Sequence, residues 1–375
     1  MKKIAILTWL HNENFGSILQ AYALQRFLRD EGYDVNNIDL KPTIIEKLKN
    51  CIQQHNPFGS LFKEKLIAYT ARKNCPDKEA LNKRTKKFSA FLTENFILTR
   101  TFRQFAELKE ISNSYDVYIC GSDQIWSPML LSPSYYFSFL PDKAKKIGYA
   151  CSFGMDYIPK QKQQRIQQWL NRFNSISVRE NSGKTIVNNL IKKDVLVTVD
   201  PSLLLTVDEW NKLLENKMLY NKPYMLCYFL GDNKKYWEKV SNIAKSRSLK
   251  IVIIPTIKGN YNYGDLVAYD VGPLDWINLI KYSDFVATDS FHACCFSIIY
   301  KKQFCVFKRF ADKNHLSQNS RIYNLLSKYD IKNCLAQDLE NFIPMEIPDT
   351  KYNEIIKMLG RNSDESKKWL INAIE

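Results

Sequence analysis

The chain has 375 residues, 45% hydrophobic, 25% charged and 13% aromatic, with a formal net charge of +15; this is a globular composition at a length that suits two ordinary domains. No apolar stretch approaches ~18 residues, so no membrane-spanning helix is expected, and the N-terminal apolar run, interrupted after Leu10 with no small-residue cleavage site behind it, reads as a first strand and not a signal peptide. The nine cysteines are odd in number, sit in apolar runs and lack paired ligand spacing even at Cys294-Cys295, so reduced, buried thiols are expected and a metal site is not.

Lys3 to Trp9 is a short continuous apolar run, as a buried parallel strand would be. The polar loop HNENFGS follows. In SILQAYALQRFLRDEG, residues Ile18, Leu19, Tyr22, Ala23, Phe27 and Leu28 recur at helical spacing, and Gly32 stops the helix. With the strand VNNIDL this is the β-loop-α-β opening of a doubly wound domain. Gly16, where loop becomes helix, allows close approach of backbone to a ligand, although neither a GxGxxG fingerprint nor a Walker loop is present. Asn12, Asn14 and Ser17 either face a ligand or simply build the loop. From about Thr43 to Lys109 the pattern is mostly helical, with breaks at Asn56-Pro57, Phe58-Gly59 and Cys75-Pro76. Between Glu46 and Lys109, 14 Lys and Arg stand against 6 Asp and Glu. The segment carries no nucleic-acid motif, which leaves docking on an anionic surface or a merely solvated basic face.

The strand Val117 to Cys120 runs into Gly121-Ser122-Asp123, which places Asp123 on the carboxyl edge of a sheet. There it is a general base, a hydroxyl binder or an ordinary turn carboxylate. Trp126 is either a platform on which a sugar stacks or a core aromatic. KKIGYACSFG and ISVREN are further strands, separated by an amphipathic helix, and VLVTVDPSLLL closes the first sheet after the short helix NSGKTIVNNL. Arg179, at a strand end, either grips an anion in bidentate fashion or pairs with nearby acids.

A domain boundary falls between Leu205 and Pro223, across the helix-like VDEWNKLLENK. A second alternation follows: the strand PYMLCYFL, a helix from about Asn233 to Arg247, the strand LKIVIIP, the loop TIKGNYNYGD and the helix PLDWINLIKYSD. The stretch from Ser283 to Arg309 then reads strand, tight turn, helix, strand. Ser290 or Asp289 caps that helix, whose first N–H groups and positive dipole end favour an anion. His292, one of four His in the chain, lies in its first turn as a catalytic or a structural residue. RIYNLLSKYD and a charged helix from about Thr350 to Ile374 complete the chain.

Seven stretches, ILTWLHNENFGSILQAYAL, YDVYICGSDQIW, KIGYACSFG, ISVREN, VTVDPSLLL, SDFVATDSFHACCFSIIYKKQF and SRIYNLL, fall in order over nearly the whole chain. As an ordered set they resemble the polysaccharide pyruvyl transferase family. The resemblance implies an α/β fold of two facing Rossmann-like domains, similar to the GT-B glycosyltransferase architecture. Residues 1–205 would form the acceptor side, with the basic helical insertion at about 43–110; residues 206–349 would form the donor side, and 350–375 a helix crossing back. It further implies transfer of a pyruvyl group from phosphoenolpyruvate to two hydroxyls of one sugar in a surface-polysaccharide precursor, giving a ketal and phosphate without a further cofactor.

Some members bind the donor with an Arg-hydrophobic-His triplet at the place of Ser290-Phe291-His292. The His is kept and the Arg is replaced by Ser290, which either shifts the anion clamp to Arg179, Arg309 or Arg321 or points to another donor altogether. The donor carries a carboxylate and a phosphate, its carbon 3 must gain a proton, and the attacking hydroxyl must lose one. The expected roles are then His292 as phosphate holder or proton donor and Asp123 as base. Ser290, Arg179, Arg309, Arg321, Gly16 and Ser17 would surround the donor, Trp126 and Asn14 the acceptor. Expected partners are phosphoenolpyruvate, a sugar or lipid-linked oligosaccharide and an anionic membrane surface, with no nucleic acid and no metal. The expected location is cytoplasmic or peripheral at the inner face of the plasma membrane. Two other readings stand: a nucleotide-sugar-dependent glycosyltransferase of the same architecture, and a non-catalytic carbohydrate-binding relative, to which Ser290 in place of Arg points.

Overall fold

The computed structural model describes residues 1–56, 66, 69–232, 234–311 and 317–375. The expected breaks at Pro57 and Phe58-Gly59 and the expected helix start at Asn233 lie outside the described residues. The chain divides into two compact units, one of Met1–Phe62, Leu92–Leu205 and Arg361–Glu375, the other of Lys63–Phe91 and Thr206–Gly360. The basic helical stretch read as part of the N-terminal domain is thus divided between the two.

Among the described residues the first unit has six strands, β1 (Lys3–Leu7), β2 (Asp34–Asn37), β3 (Val117–Cys120), β4 (Lys145–Cys151), β5 (Ser175–Val178) and β6 (Leu196–Val197). They form one sheet in the order β2-β1-β3-β4-β5-β6, every pair parallel. β3 is buried along its whole length, which is why it reads as an uninterrupted apolar run. The chain leaves β1 for β2 on one side and returns to β3 on the other. The order therefore reverses between β1 and β3, and the carboxyl ends there border the crevice where open α/β sheets take ligands. Helix α1 (Phe15–Asp30) starts at that point. Asn14 caps it by accepting from the Ser17 N–H, and 13 of its 16 residues are buried, so packing more than propensity holds it. Helices α2 (Ile44–Gln53), α4 (Lys160–Leu170) and α5 (Asn181–Ile191) also belong to this unit, as do the last residues of α3 (Lys78–Asn95).

The second unit has β7 (Tyr224–Tyr228), β8 (Lys250–Ile253), β9 (Leu266–Val267), β10 (Phe285–Thr288) and β11 (Gln303–Val306) in the order β11-β10-β7-β8-β9, again parallel throughout. Here the order reverses between β7 and β10. β9, two residues directly after the Gly- and Asn-rich loop TIKGNYNYGD, was not expected from the sequence; it is too short to show a period. The helix expected over VDEWNKLLENK contracts to α6 (Val207–Asn211). A Thr206/Glu209 capping box starts it, but it buries only Trp210, too little to hold further turns. α7 (Lys234–Ser246), α8 (Pro273–Tyr282), α9 (Phe291–Ile299) and α10 (Ser320–Lys328) complete this unit. From α3, Arg84 donates to the Pro255 carbonyl at 2.8 Å and Lys87 pairs with Asp275 at 2.7 Å, tying the basic segment to the second unit.

The last helix, α11 (Asp349–Ile374), belongs to the second unit through Gly360 and to the first from Arg361 onward. In the first unit Ser366 Oγ accepts from the Val199 N–H at 3.0 Å, and Leu370 and Ile374 are fully buried. All nine cysteines are buried and unbridged. Among the described residues no helix is long and apolar enough to cross a membrane.

Candidate functional site

Polar residues gather at the sheet-order reversal of each unit. In the first, Gly121 follows β3 with φ +121°, and a Cβ there would lie 2.1 Å from the Tyr149 carbonyl oxygen; only glycine fits. Two residues on, Asp123 has φ +68°, a left-handed conformation that costs a non-glycine residue energy and is concentrated at functional sites. Its carbonyl accepts from the Ser152 N–H at 3.0 Å, and Oδ1 accepts from the Gln124 N–H at 2.9 Å. Oδ2 accepts from Ser17 Oγ at 2.5 Å, joining the first turn of α1 to the end of β3 across the crevice.

Arg179, just past β5, has a side chain only 1% exposed. It donates from Nη1 to Asp200 Oδ2 at 2.6 Å, and its other nitrogens lie 3.6 Å from Asp123 Oδ1 and 3.7 Å from Glu180 Oε2. Burial alone would depress its pKa, but Asp200, Asp123 and Glu180 together hold it above the ordinary guanidinium value. Of the two readings open for Arg179 from the sequence, a grip on an anion or pairing with nearby acids, the pairing is the arrangement present. Its fork is committed to carboxylates of its own unit, which keeps three buried acids from being left without a countercharge.

The sequence reading missed a second group on the same edge. His11, in the loop after β1, directs Nε2 at Asp39 Oδ1, and Thr101 donates to Asp39 Oδ2. Burial would raise the Asp39 pKa, but the hydrogen bonds from His11 and Thr101, with the charges of His11 and Lys41, bring it below the usual carboxylate value. Both carboxylate oxygens are fixed, while the imidazole is 22% exposed; a ring oriented by a carboxylate and open to solvent can exchange a proton at its other nitrogen. The available signal was topological: His11 and Asp39 follow the ends of neighbouring strands.

Of the remaining expected residues in this unit, Asn14 spends its side-chain oxygen on capping α1, at 3.1 Å from the Ser17 nitrogen, and Gly16 is buried in the first turn. Trp126 is corrected from sugar platform to core aromatic. It is fully buried, stacked on Tyr136 with centroids 5.4 Å apart, and donates from Nε1 to the Tyr135 carbonyl at 3.0 Å.

In the second unit Asp289, at the end of β10, accepts from the backbone N–H groups of Leu230 and Gly231 at 2.7 and 2.8 Å. It thus bridges to the end of β7 as Asp123 bridges to α1. Arg309 Nε lies 3.5 Å from its carboxylate, and Arg309 Nη2 donates to its carbonyl at 3.3 Å. A Cβ on Gly231 would meet both Asp289 Oδ2 and Arg309 Cγ at 2.9 Å, so the glycine keeps this contact open. Ser290 is the N-cap of α9, its hydroxyl accepting from the Ala293 N–H at 3.4 Å. One helix-end N–H is therefore satisfied by the cap. His292, 6% exposed, packs edge-on against Phe291 with centroids 5.3 Å apart. The Arg321 guanidinium lies 5.9 Å from the same Phe291 ring and donates to Gln318. Ser290, His292, Arg309 and Arg321 are thus neighbours in one unit, as Ser17, Asp123 and Arg179 are in the other. Among the described residues no three His, Cys, Asp or Glu side chains gather as a metal site would need.

Comparison with solved structures finds the N-terminal domain of Candida albicans trehalose-6-phosphate phosphatase, 9% identical with a TM-score of 0.53, covering 99% of this chain and 96% of that one. UDP-N-acetylglucosamine 2-epimerase from Rickettsia bellii is 9% identical over 100% of this chain and 97% of that one, with a TM-score of 0.49. The corresponding enzyme from Neisseria meningitidis, bound to UDP-GlcNAc, is 10% identical over 96% and 100%, with a TM-score of 0.46. At these identities the first likeness is one of fold, and the α/β class with two parallel sheets is that expected from the sequence. Comparison with curated protein sequences finds no match. The profile of one family matches residues 14–309, from the residue that caps α1 to the arginine beside Asp289: the chain belongs to the polysaccharide pyruvyl transferase family.

Proposed function

We propose that the protein transfers the pyruvyl group of phosphoenolpyruvate to two hydroxyls of a sugar in a polysaccharide precursor. The observation that carries this reading is the family match over residues 14–309, which includes Ser17, Asp123, Asp289, Ser290, His292 and Arg309. The overall reaction moves two protons: the acceptor hydroxyls lose one each, and carbon 3 of the donor and the departing phosphate gain one each. Two oxygens must therefore be deprotonated. The first unit offers two carboxylate-anchored chains suited to that work, Ser17 with Asp123 and His11 with Asp39. His292 serves the phosphate, as a hydrogen-bond donor or as the acid on its leaving oxygen, with Arg309 and Arg321 as the nearby cations and the start of α9 adding its dipole. A cytoplasmic location and a lipid-linked acceptor accord with this reading.

Thermal denaturation with phosphoenolpyruvate and, separately, with UDP-N-acetylglucosamine tests it. A ligand that binds only the folded state at a hundred times its Kd stabilises by about 2.7 kcal/mol. Phosphoenolpyruvate is expected to raise the midpoint and to release phosphate when a sugar acceptor is added. Stabilisation by the nucleotide sugar alone would move the assignment to a glycosyltransferase.

A further inference from the structure

We propose that α2 docks the protein on an anionic lipid surface. A surface helix ordinarily turns its apolar stripe to the core; α2 does the opposite. Along its ten residues only Cys51 is buried. At 100° per residue, Ile44, Leu48, Ile52 and Ile45 share one arc, and Ile44, Ile45 and Ile52 are 64%, 66% and 61% exposed.

The helix is fixed from behind by polar bonds. Asn50 Nδ2 donates to the Leu131 carbonyl at 2.9 Å, Arg165 Nη1 to the Gln53 carbonyl at 2.7 Å, and the Phe105 N–H to Glu46 Oε1 at 3.1 Å. The one acid of α2 is thereby turned inward, while Lys41 and Lys49 are exposed beside the isoleucines. Arg103, whose carbonyl accepts from the Thr43 N–H, and Arg165 add positive charge at the two ends of the helix.

Charge selects the occupant. A second copy of a chain carrying +15 would bring like charge to like, whereas an anionic surface is complementary. Shape selects among anionic partners, because the apolar arc is the convex face of one helix. A lipid headgroup layer yields to such a ridge and takes its isoleucines into the acyl boundary while basic side chains meet the phosphates. This inference does not depend on the reaction proposed above.

The test is cosedimentation of the full chain with vesicles of phosphatidylcholine alone and of phosphatidylcholine mixed with phosphatidylglycerol. The protein is expected to sediment with the mixed vesicles only. The triple variant Ile44→Ser, Ile45→Ser, Ile52→Ser is expected to bind them roughly tenfold or more weakly with an unchanged thermal midpoint, and the double variant Lys41→Glu, Lys49→Glu, both at exposed positions, to lose affinity as well. Equal binding to both vesicle types, binding to neither, or undiminished binding by both variants would overturn the proposal. So would a concentration-dependent dimer that the triple variant abolishes, which would assign the face to a second copy. Stabilisation by phosphoenolpyruvate in the triple variant separates this test from that of the reaction.

Discussion

His11 and His292 hold equivalent places in their units, each a few residues past the carboxyl end of a strand that borders the reversal of sheet order, β1 in one case and β10 in the other. They differ in setting, since His11 has a carboxylate partner and an exposed ring, and His292 is buried beside Phe291. If both take part in proton transfer, His11→Gln and His292→Ala are each expected to lower kcat by about 10² to 10⁴, measured as phosphate release from phosphoenolpyruvate with a sugar acceptor. Full turnover by either variant would remove that residue from the mechanism. Asp39 acts through His11, so Asp39→Asn should lower kcat while leaving phosphoenolpyruvate binding unchanged. It carries a pH signature as well. The folded-state pKa of Asp39 is depressed, so its stabilising contribution is present above the unfolded value of about 3.9 and lost as pH falls through the lower folded value. The stability difference between wild type and Asp39→Asn, followed by urea denaturation from neutral pH downward, is expected to shrink over that window; a constant difference would show that the ionised carboxylate contributes nothing.

At the scale of elements, the ends of β3 and β5 meet in one buried ionic group, in which a single guanidinium faces Asp200, Asp123 and Glu180. Removing one partner of a buried pair costs about 3–5 kcal/mol, because the other is left charged and desolvated. Arg179→Met is expected to lose about that much in chemical denaturation. Arg179→Lys, which keeps the charge but not the fork, should lose less. A stable Arg179→Met protein with weakened donor binding would restore the clamp role. The elements themselves were legible from periodicity: the long apolar runs became strands and the 3.6-residue pattern after Gly16 became α1. The commitments of their terminal side chains were not, because they are made far along the chain. Ser17 meets a residue 106 positions away, and Asp39 meets His11 and Thr101 at separations of 28 and 62. Trp126 shows the same limit. Its place after the Gly-Ser-Asp turn suggested an open edge, yet Gly148 on β4 leaves the space the indole fills, a Cβ there lying 2.7 Å from its ring.

For the molecule as a whole, continuity of the chain and composition of the units do not coincide. α11 begins among the residues of the second unit and ends among those of the first, and its final turns are structural parts of the first unit's core. Lys2 and Lys145 both donate to the Ile374 carbonyl, at 3.1 and 2.8 Å, which satisfies one of the last carbonyls that a helix leaves without an internal partner. Trp369 lies 6.2 Å from the Tyr149 ring on β4, and Tyr149 in turn donates to the Val199 carbonyl at 3.2 Å. The helix end thus supports the strand next to Gly121 and Asp123 from behind. Because Leu370 and Ile374 are fully buried, truncating either to alanine is expected to cost about 2–5 kcal/mol, depending on how far the cavity collapses. The loss should fall on the first unit. In hydrogen exchange, amides of β4 and β5 should lose protection in Leu370→Ala while those of β7 and β10 keep theirs. Uniform loss of protection across both sheets would mean that the units unfold as one cooperative body, and that the C-terminal turns govern the stability of both sheets.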